Sequence, residues 1–366
     1  MIISIEKKKF IDAISISSRF AQHTSTTLPA LASILIIAGD AGIKFRATNL
    51  ETGVDLKVDG EVKEAGVVAV PAHILKNIAA SLTGEGSISL EQTGDSVTIK
   101  TGLSKSSIKT TPHDDFPSLP FPEHPKNSLV LSGAVLRTLI TTTAACASSS
   151  MVRPELASIY FVAEGGMLTA VATDSFRLVE KSVPLVGKGT LGGVLIPAKN
   201  ALEIAQALPN EEVTISFDEH QCACISPTQI LISRLTNAVY PDYRQIIPKQ
   251  SVVEATVHRR DLETALKRAA IFSDTFQKVR IVFDPQTKSM EIFARNADIG
   301  ESSERVTAQV VGSPLEISFN HRYLTHVFSL TAAENITLSA SGIGRPLIIK
   351  GVGDSGFLYL VSPMNQ

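Results

Sequence analysis

Near the middle of the chain, Ala172-Thr173-Asp174-Ser175-Phe176-Arg177-Leu178 sets a carboxylate between two hydroxyls, with an arginine three residues on. Acid–base and nucleophilic catalysis use these groups, with Asp as the base, Ser or Thr as the nucleophile and Arg to hold an anion. No stretch pairs a nucleophile with a base at a recognisable spacing, however, and pieces of this one occur three times. A motif that recurs is better explained by architecture than by a single reacting centre.

Other chemistry-bearing strings fare worse. Two GxGxxG patterns occur, Gly187-Gly189-Gly192 and Gly351-Gly353-Gly356. A dinucleotide site needs this string between a strand and a helix, where the helix N-terminus meets the pyrophosphate. Here strands follow, at Val194 to Ile196 and at Phe357 to Val361, so both read as hairpin turns. Lys188 has no Ser or Thr after it in the phosphate-loop arrangement. His113-Asp114-Asp115 stands just before Phe116-Pro117, where polar turn residues are expected, and reads as a turn rather than a metal site. Cys146, Cys222 and Cys224 lack zinc spacing, and the last two alternate on one face of a strand-like run, as buried thiols of a reducing compartment would. Neither a metal nor a cofactor is expected.

The elements that position these residues come from length and periodicity. A chain of 366 residues with 44% hydrophobic and 19% charged residues can bury two or three domain cores. The N-terminus runs from Met1-Ile2-Ile3 into Glu6-Lys7-Lys8-Lys9, unlike a secretory signal. The longest apolar run, Leu28 to Gly39, is far short of a membrane span and alternates like a strand. A cytoplasmic protein without membrane partners is expected.

Repeats decide the architecture. Leu31-Ala32-Ser33-Ile34 recurs letter for letter as Leu156-Ala157-Ser158-Ile159, each copy running into an apolar strand and a glycine turn. A looser third copy is Val279 to Phe283. The next strand repeats as Phe45 to Asn49, Ala170 to Asp174 and Ile292 to Asn296. Val70-Pro71-Ala72 and Ile196-Pro197-Ala198 open amphipathic helices with proline at the first helical position, and Phe319-Asn320 opens a third with asparagine as N-cap. Another helix precedes each set, centred on Ile14, Ile140 and Leu266, with Ser132 and His258 near two of the starts. Phe116-Pro117 and Tyr240-Pro241 lead into proline-rich exits that read as linkers. The chain is thus expected to be α+β and to hold three copies of one unit, at 1–122, 123–250 and 251–366. Each copy reads as helix, two or three strands, helix, then more strands.

Charge follows the same division. The formal net charge is −2. The six expected helices (5–21, 71–82, 132–148, 197–208, 258–272 and 319–330) carry a net +7, which leaves −9 for the rest. Helices sharing one face would present a basic surface to phosphates, giving sequence-independent, salt-sensitive binding. With five Tyr and no Trp there is no aromatic series for reading single strands.

Together these residues resemble one family over essentially the whole length, the beta subunit of bacterial DNA polymerase III, the sliding clamps. The motifs that carry the resemblance are Thr27-Leu28-Pro29, Val70-Pro71-Ala72, Asp115-Phe116-Pro117, the Ala172–Leu178 stretch, Tyr240-Pro241-Asp242-Tyr243-Arg244 with Pro248-Lys249, and Tyr359 to Met364. The resemblance implies a head-to-tail homodimer: a closed ring of six units, with twelve helices lining the hole around double-stranded DNA. Such a ring slides, tethers the replicative DNA polymerase and performs no chemistry. It further implies a clamp loader, and other polymerases and repair proteins that dock through a short peptide motif.

Carried over by motif, the partner-peptide pocket comprises Leu156, Thr173, Ser175, Phe176, Arg177, Leu178, Pro241, Ile246, Pro346, Leu360, Val361, Pro363 and Met364. DNA contacts are expected from Lys7, Arg19, Ser25, His73, Lys76, Arg137, Ser150, Arg153, Lys199 and Arg322. At the dimer seam, Lys105 and Ile108 would meet Ile271, Phe272, Glu301 and Glu304 of a second chain. The sequence departs from the family pattern at His23-Thr24-Ser25-Thr26 and at His73, where relatives often carry arginine. It also departs at Ser150, at Pro154-Glu155 and at the Asn365-Gln366 tail. Two rival readings are a three-domain interaction scaffold that binds no DNA, and a nucleotide-using enzyme built on the glycine strings.

Overall fold

In each copy the strands lie where hydrophobic residues alternate, and the helices lie where those residues recur every three to four positions. The computed structural model describes residues 1–22, 28–102, 104–119, 127–185 and 189–364. Its described helices are α1 (Lys7–Phe20), α2 (Ala72–Ser81), α3 (Gly133–Ala144), α4 (Ala198–Ala207), α5 (Arg259–Ala270) and α6 (His321–His326). None is long and apolar enough to cross a membrane.

Several expectations need correcting. A strand precedes the first helix of every copy (Ile2–Glu6, Asn127–Ser132, Val253–His258) and pairs antiparallel with the strand that follows the second helix. Pro71 and Pro197 are not first helical residues but the last residues of strands Gly66–Pro71 and Leu191–Pro197. Both are edge strands, where the missing N–H costs no ladder bond. Asn320 does cap α6, its side chain accepting from the Arg322 N–H at 2.9 Å. The run from Leu28 begins as a 3-10 turn (Pro29–Ala32), and its strand starts at Ser33. Helix α3 stops at Ala144 instead of 148; near its end the Thr143 hydroxyl bonds back to the Leu139 carbonyl at 2.8 Å, a pattern that weakens helices. Helix α6 tightens after His326 into a 3-10 turn, Val327–Ser329, that buries Val327 and Phe328. The second glycine string is a hairpin turn between Leu347–Gly351 and Phe357–Val361, as expected. Gly187 and Lys188 lie outside the described residues.

The chain forms two compact units that cut across the repeat. One holds Met1–Arg137, Leu185–Thr190 and Lys199–Thr236, and the other Thr138–Pro184, Leu191–Ala198 and Asn237–Gln366. The first contains a five-stranded and an eight-stranded sheet, the second a nine-stranded and a four-stranded sheet. Each long sheet is two half-sheets fused. In the eight-stranded sheet Gln229–Arg234, the last strand of copy two, pairs antiparallel with Thr52–Val58 of copy one, Ser233 opposite Thr52. In the nine-stranded sheet Phe357–Val361, the last strand of copy three, pairs antiparallel with Arg177–Pro184 of copy two, Val361 opposite Arg177. The hairpin registers make Thr52 and Arg177 equivalent, and likewise Ser233 and Val361. Both joints therefore use one register.

In the second unit the inner sheet faces and α5 close over a core that includes Phe283, Phe319 and Tyr359. The thiols behave as buried apolar groups: burial pushes Cys146 and Cys222 up to about 12, and Cys224 well above its usual range.

Candidate partner groove and nucleic-acid interface

The Thr173–Leu178 stretch is a turn built by its own side chains. The Asp174 carboxylate accepts from the N–H groups of Phe176 and Arg177, both at 3.0 Å. Asn49 does the same for Glu51 and Thr52, at 3.0 and 2.7 Å, and Asn296 for Asp298 at 2.9 Å. Thr173 and Thr48 bond across their turns to the carbonyls of Arg177 and Thr52. Ser175 and Leu50 adopt the same left-handed backbone, φ 77° and 73°. The groups that resembled a catalytic centre are an Asx turn in duplicate. Accordingly, Asp174→Asn should keep the turn, whereas Asp174→Ala should cost roughly 1–3 kcal/mol through its two lost backbone hydrogen bonds and its lost pairing with Arg177. Denaturant midpoints of the two variants check this.

What the turn presents is particular to the second copy. Phe176 is 57% exposed and stacks on Tyr323 of α6, with ring centroids 5.9 Å apart. The Arg177 guanidinium lies 5.2 Å over the same ring and bonds Asp174 Oδ2 at 2.9 Å. Burial works against its charge, but the bond to Asp174 holds its pKa above the ordinary arginine range. Arg177 Nη1 also meets His326 Nδ1. Arginine can only donate, so Nδ1 accepts and the imidazole is neutral, consistent with a pKa lowered first by burial and then by Arg177. Beneath, the buried Tyr359 hydroxyl donates to the Tyr323 carbonyl at 2.7 Å and fixes the end of α6.

These groups wall a cleft of about 600 Å³ whose lining includes Phe176, Phe276, Asn320, Tyr323, Pro363 and Met364. The Ser362 N–H bonds the Phe176 carbonyl and the Met364 N–H bonds the Ser318 carbonyl, both at 2.8 Å, so the chain end forms one rim. Of the expected pocket residues, Phe176, Pro363 and Met364 line this cleft. Thr173, Ser175 and Arg177 build and brace its wall. Leu178, Leu360 and Val361 are fully buried rungs of the joint, Leu178 opposite Leu360. Leu178 and Leu360 pack with Tyr243, which brings Pro241 and the half-exposed Ile246 to the outer face of the same sheet. Pro346 precedes Leu347, the rung opposite Val361. Leu156 is buried beyond the cleft lining. Phe276, Asn320 and Tyr323 were missed, because periodicity assigns Tyr323 to the apolar face of its helix. Phe276 is 71% exposed beside Asp274, whose carboxylate accepts its N–H, an exposure that only the fold reveals.

The helix cations divide by role. Lys7 donates to the Thr83 and Glu85 carbonyls after α2, at 2.7 and 3.3 Å. Arg137 covers the carbonyls of Ala205, Leu208 and Pro209 at the end of α4 and bonds Asn210 at 2.8 Å. Arg259 reaches the Phe328 carbonyl after α6 at 3.0 Å. In each copy a cation of the first helix satisfies the open carbonyls behind the second, where the helix dipole favours positive charge. Lys7 and Arg137, expected at DNA, are thus fastened internally. Arg19 bonds Gln206, and Arg153 pairs with Glu155 at 2.9 Å in an exposed turn with Ser150. His73, Lys76, Lys199 and Arg322 are exposed, and the last three make no ion pair among the described residues. Ser25 lies outside the described residues, as does the Asn365-Gln366 tail.

For the seam, Lys105 and Ile108 lie on Lys105–Lys109, an edge of the five-stranded sheet, and Glu301 and Glu304 on Gly300–Thr307, an edge of the four-stranded sheet. Ile271, 66% exposed, and Phe272 follow α5. Glu304 already meets Arg268 at 3.5 Å, and Glu301 meets Arg295 at 3.9 Å.

Comparison with known proteins agrees along the chain. Family models match residues 1–120, 130–242 and 244–365, described as the N-terminal, central and C-terminal domains of the DNA polymerase III beta subunit. Curated relatives named beta sliding clamp include one from Vibrio cholerae, 28% identical over 92% of this chain and 93% of its own. One from Bacillus subtilis is 26% identical over 100% of this chain and 99% of its own. A crystal structure of the sliding clamp from Pseudomonas aeruginosa superposes with a TM-score of 0.94 at 25% identity, covering 100% of both chains.

Proposed function

The chain belongs to the DNA polymerase III beta subunit family, and from that premise we propose how it works as a sliding clamp: two copies close head to tail around duplex DNA and tether a polymerase without chemistry of their own. The observation that carries the reading is the joint. The last strand of one copy pairs with the third strand after the first helix of the copy before it, twice in one register. By the same count, and among the described residues, Lys105–Lys109 is a last strand without its joint partner, and Gly300–Thr307 is the matching third strand without one. An unpaired edge is a standing liability for aggregation, and mutual pairing removes it. Carrying the internal register over sets Ile108 opposite the partner's Gly300 and Lys105 opposite the partner's Ser303, diagonal to the partner's Glu301. The partner's Glu301 then attracts Lys105 from one diagonal, while the partner's Arg305 takes the other.

Copies bounded at 1–122, 123–250 and 251–366 would each contribute two helices to the bore. Of the residues expected at DNA, His73, Lys76, Lys199 and Arg322 are exposed and unpaired among the described residues, and they would meet phosphates in sequence-independent binding. The cleft beside Phe176 and Tyr323 suits a short apolar peptide with a few polar anchors, the form in which polymerases, a clamp loader and repair proteins would dock in turn. The test is retention. The protein should run at about twice its 39.1 kDa chain mass, stay on nicked circular DNA after loading, and leave once the circle is cut. Equal retention on circular and linear DNA would overturn encirclement and leave an interaction scaffold.

A further inference from the structure

The groove does not end at Met364. A second cleft, about 460 Å³, shares its Asp274 and Lys278 walls and opens along Ser318, the residue whose carbonyl holds the Met364 N–H. Its floor is the outer face of the four-stranded sheet. Val279, Ile281, Ile292, Ala294 and Ile317 point into the core, so the alternate residues Lys278, Arg280, Phe293, Arg295 and Glu316 point out.

In the cleft lining the cations Lys278, Arg280 and Arg295 outnumber the carboxylates Asp274 and Glu316, although Glu291 and Glu301 stand elsewhere on the same face. Arg280 lies 4.6 Å over the Phe293 ring and pairs with Glu316 at 3.1 Å, yet its Nε is buried without a hydrogen-bond partner. Lys278 makes no ion pair among the described residues. Arg295 is shared with Glu301 at 3.9 Å. The Asp274 carboxylate is occupied by the N–H groups of Phe276 and Lys278, at 2.9 and 3.0 Å. Three cations therefore surround an aromatic floor, one of them uncompensated, and the neighbouring carboxylates are already engaged.

We propose that this cleft is a second subsite of the groove, taking the carboxylates of an acidic stretch that flanks a partner's apolar peptide. The inference rests on the groove reading above. Apolar anchors seated against Phe176 and Tyr323 leave the peptide backbone passing Met364, where Lys278 and Arg280 offer charge-assisted hydrogen bonds. Partners would then be sorted by the charge next to their anchors as well as by the anchors themselves.

The test uses the full-length protein and a fluorescein-labelled peptide bearing two leucines and a phenylalanine, plain or extended at either end by Glu-Glu-Asp. Anisotropy titrations at low and moderate salt give the affinities. One of the extended peptides should bind about tenfold tighter than the plain one at low salt, with the advantage shrinking as salt rises. Arg280→Gln should remove the advantage and leave the plain peptide unchanged. Glu316→Gln, which frees Arg280, should enlarge it, a gain that no misfolded variant would give. No advantage in the wild-type protein, or one that survives Arg280→Gln, overturns the subsite while sparing the groove. Failure of the plain peptide to bind overturns the groove, and the subsite with it. Equal displacement of the extended peptide by single-stranded oligonucleotide would mark a general polyanion surface and overturn the peptide assignment.

Discussion

Replacing Ile271 by aspartate should leave a folded chain that runs at its monomer mass and no longer persists on nicked circular DNA. Ile271 ends α5 with 66% of its surface exposed and contributes little to the core of its own chain, so the fold has little to lose. In the proposed seam it is covered, and a carboxylate there would be desolvated without a hydrogen-bond partner. That costs several kcal/mol, enough to weaken dimerisation by roughly 10²- to 10³-fold, since each 1.4 kcal/mol is a factor of ten. Sedimentation across a concentration series reads the first effect and retention on circles reads the second. A variant that remains a tight dimer would place the seam elsewhere.

The second large effect is expected at the groove. Phe176→Ala with Arg177→Ala should lower affinity for partner peptides by roughly 10²-fold, the scale of losing a central aromatic anchor and its charged neighbour. It should abolish polymerase stimulation on primed templates while the dimer survives. Leu178 is better left intact, although it stands beside them in sequence. It is wholly buried opposite Leu360, and truncating it would cost about 2–5 kcal/mol of stability, confounding binding with folding. Peptide affinity within twofold of wild type would remove the groove from the mechanism.

How far the sequence led depended on what kind of signal each residue carried. Repeated letters such as Leu31 to Ile34 and Leu156 to Ile159, and the period-3.6 runs behind Pro71 and Pro197, exposed the triplication and all six helices. The leading strands escaped notice, although Ile3 and Ile5 or Leu129 and Leu131 alternate, because a five- or six-residue strand beside a strong helix start is easily absorbed into it. Charge counting found basic helices but could not separate Lys7 and Arg137, spent on helix ends, from Lys76 and Lys199, which are free. That distinction lies in carbonyl groups, which every residue has and no composition records. In the candidate groove, Phe176 and Arg177 stand out in the sequence as the part of the turn the other copies lack. Tyr323 and Phe276 were not, since they reach the cleft from a different copy.

The shared register of the joints has one more consequence, for where the assembly can come apart. A closed pair of chains would have six equivalent seams, and four of them lie inside a chain, tied by the polypeptide that runs on through each of them. Only the two between chains can part and re-form without a covalent tether. Their ladder is no longer than the one inside the chain, since Lys105–Lys109 and Phe357–Val361 both have five residues. A machine that threads DNA through the assembly therefore has two latches to act on and four fixed links to lever against.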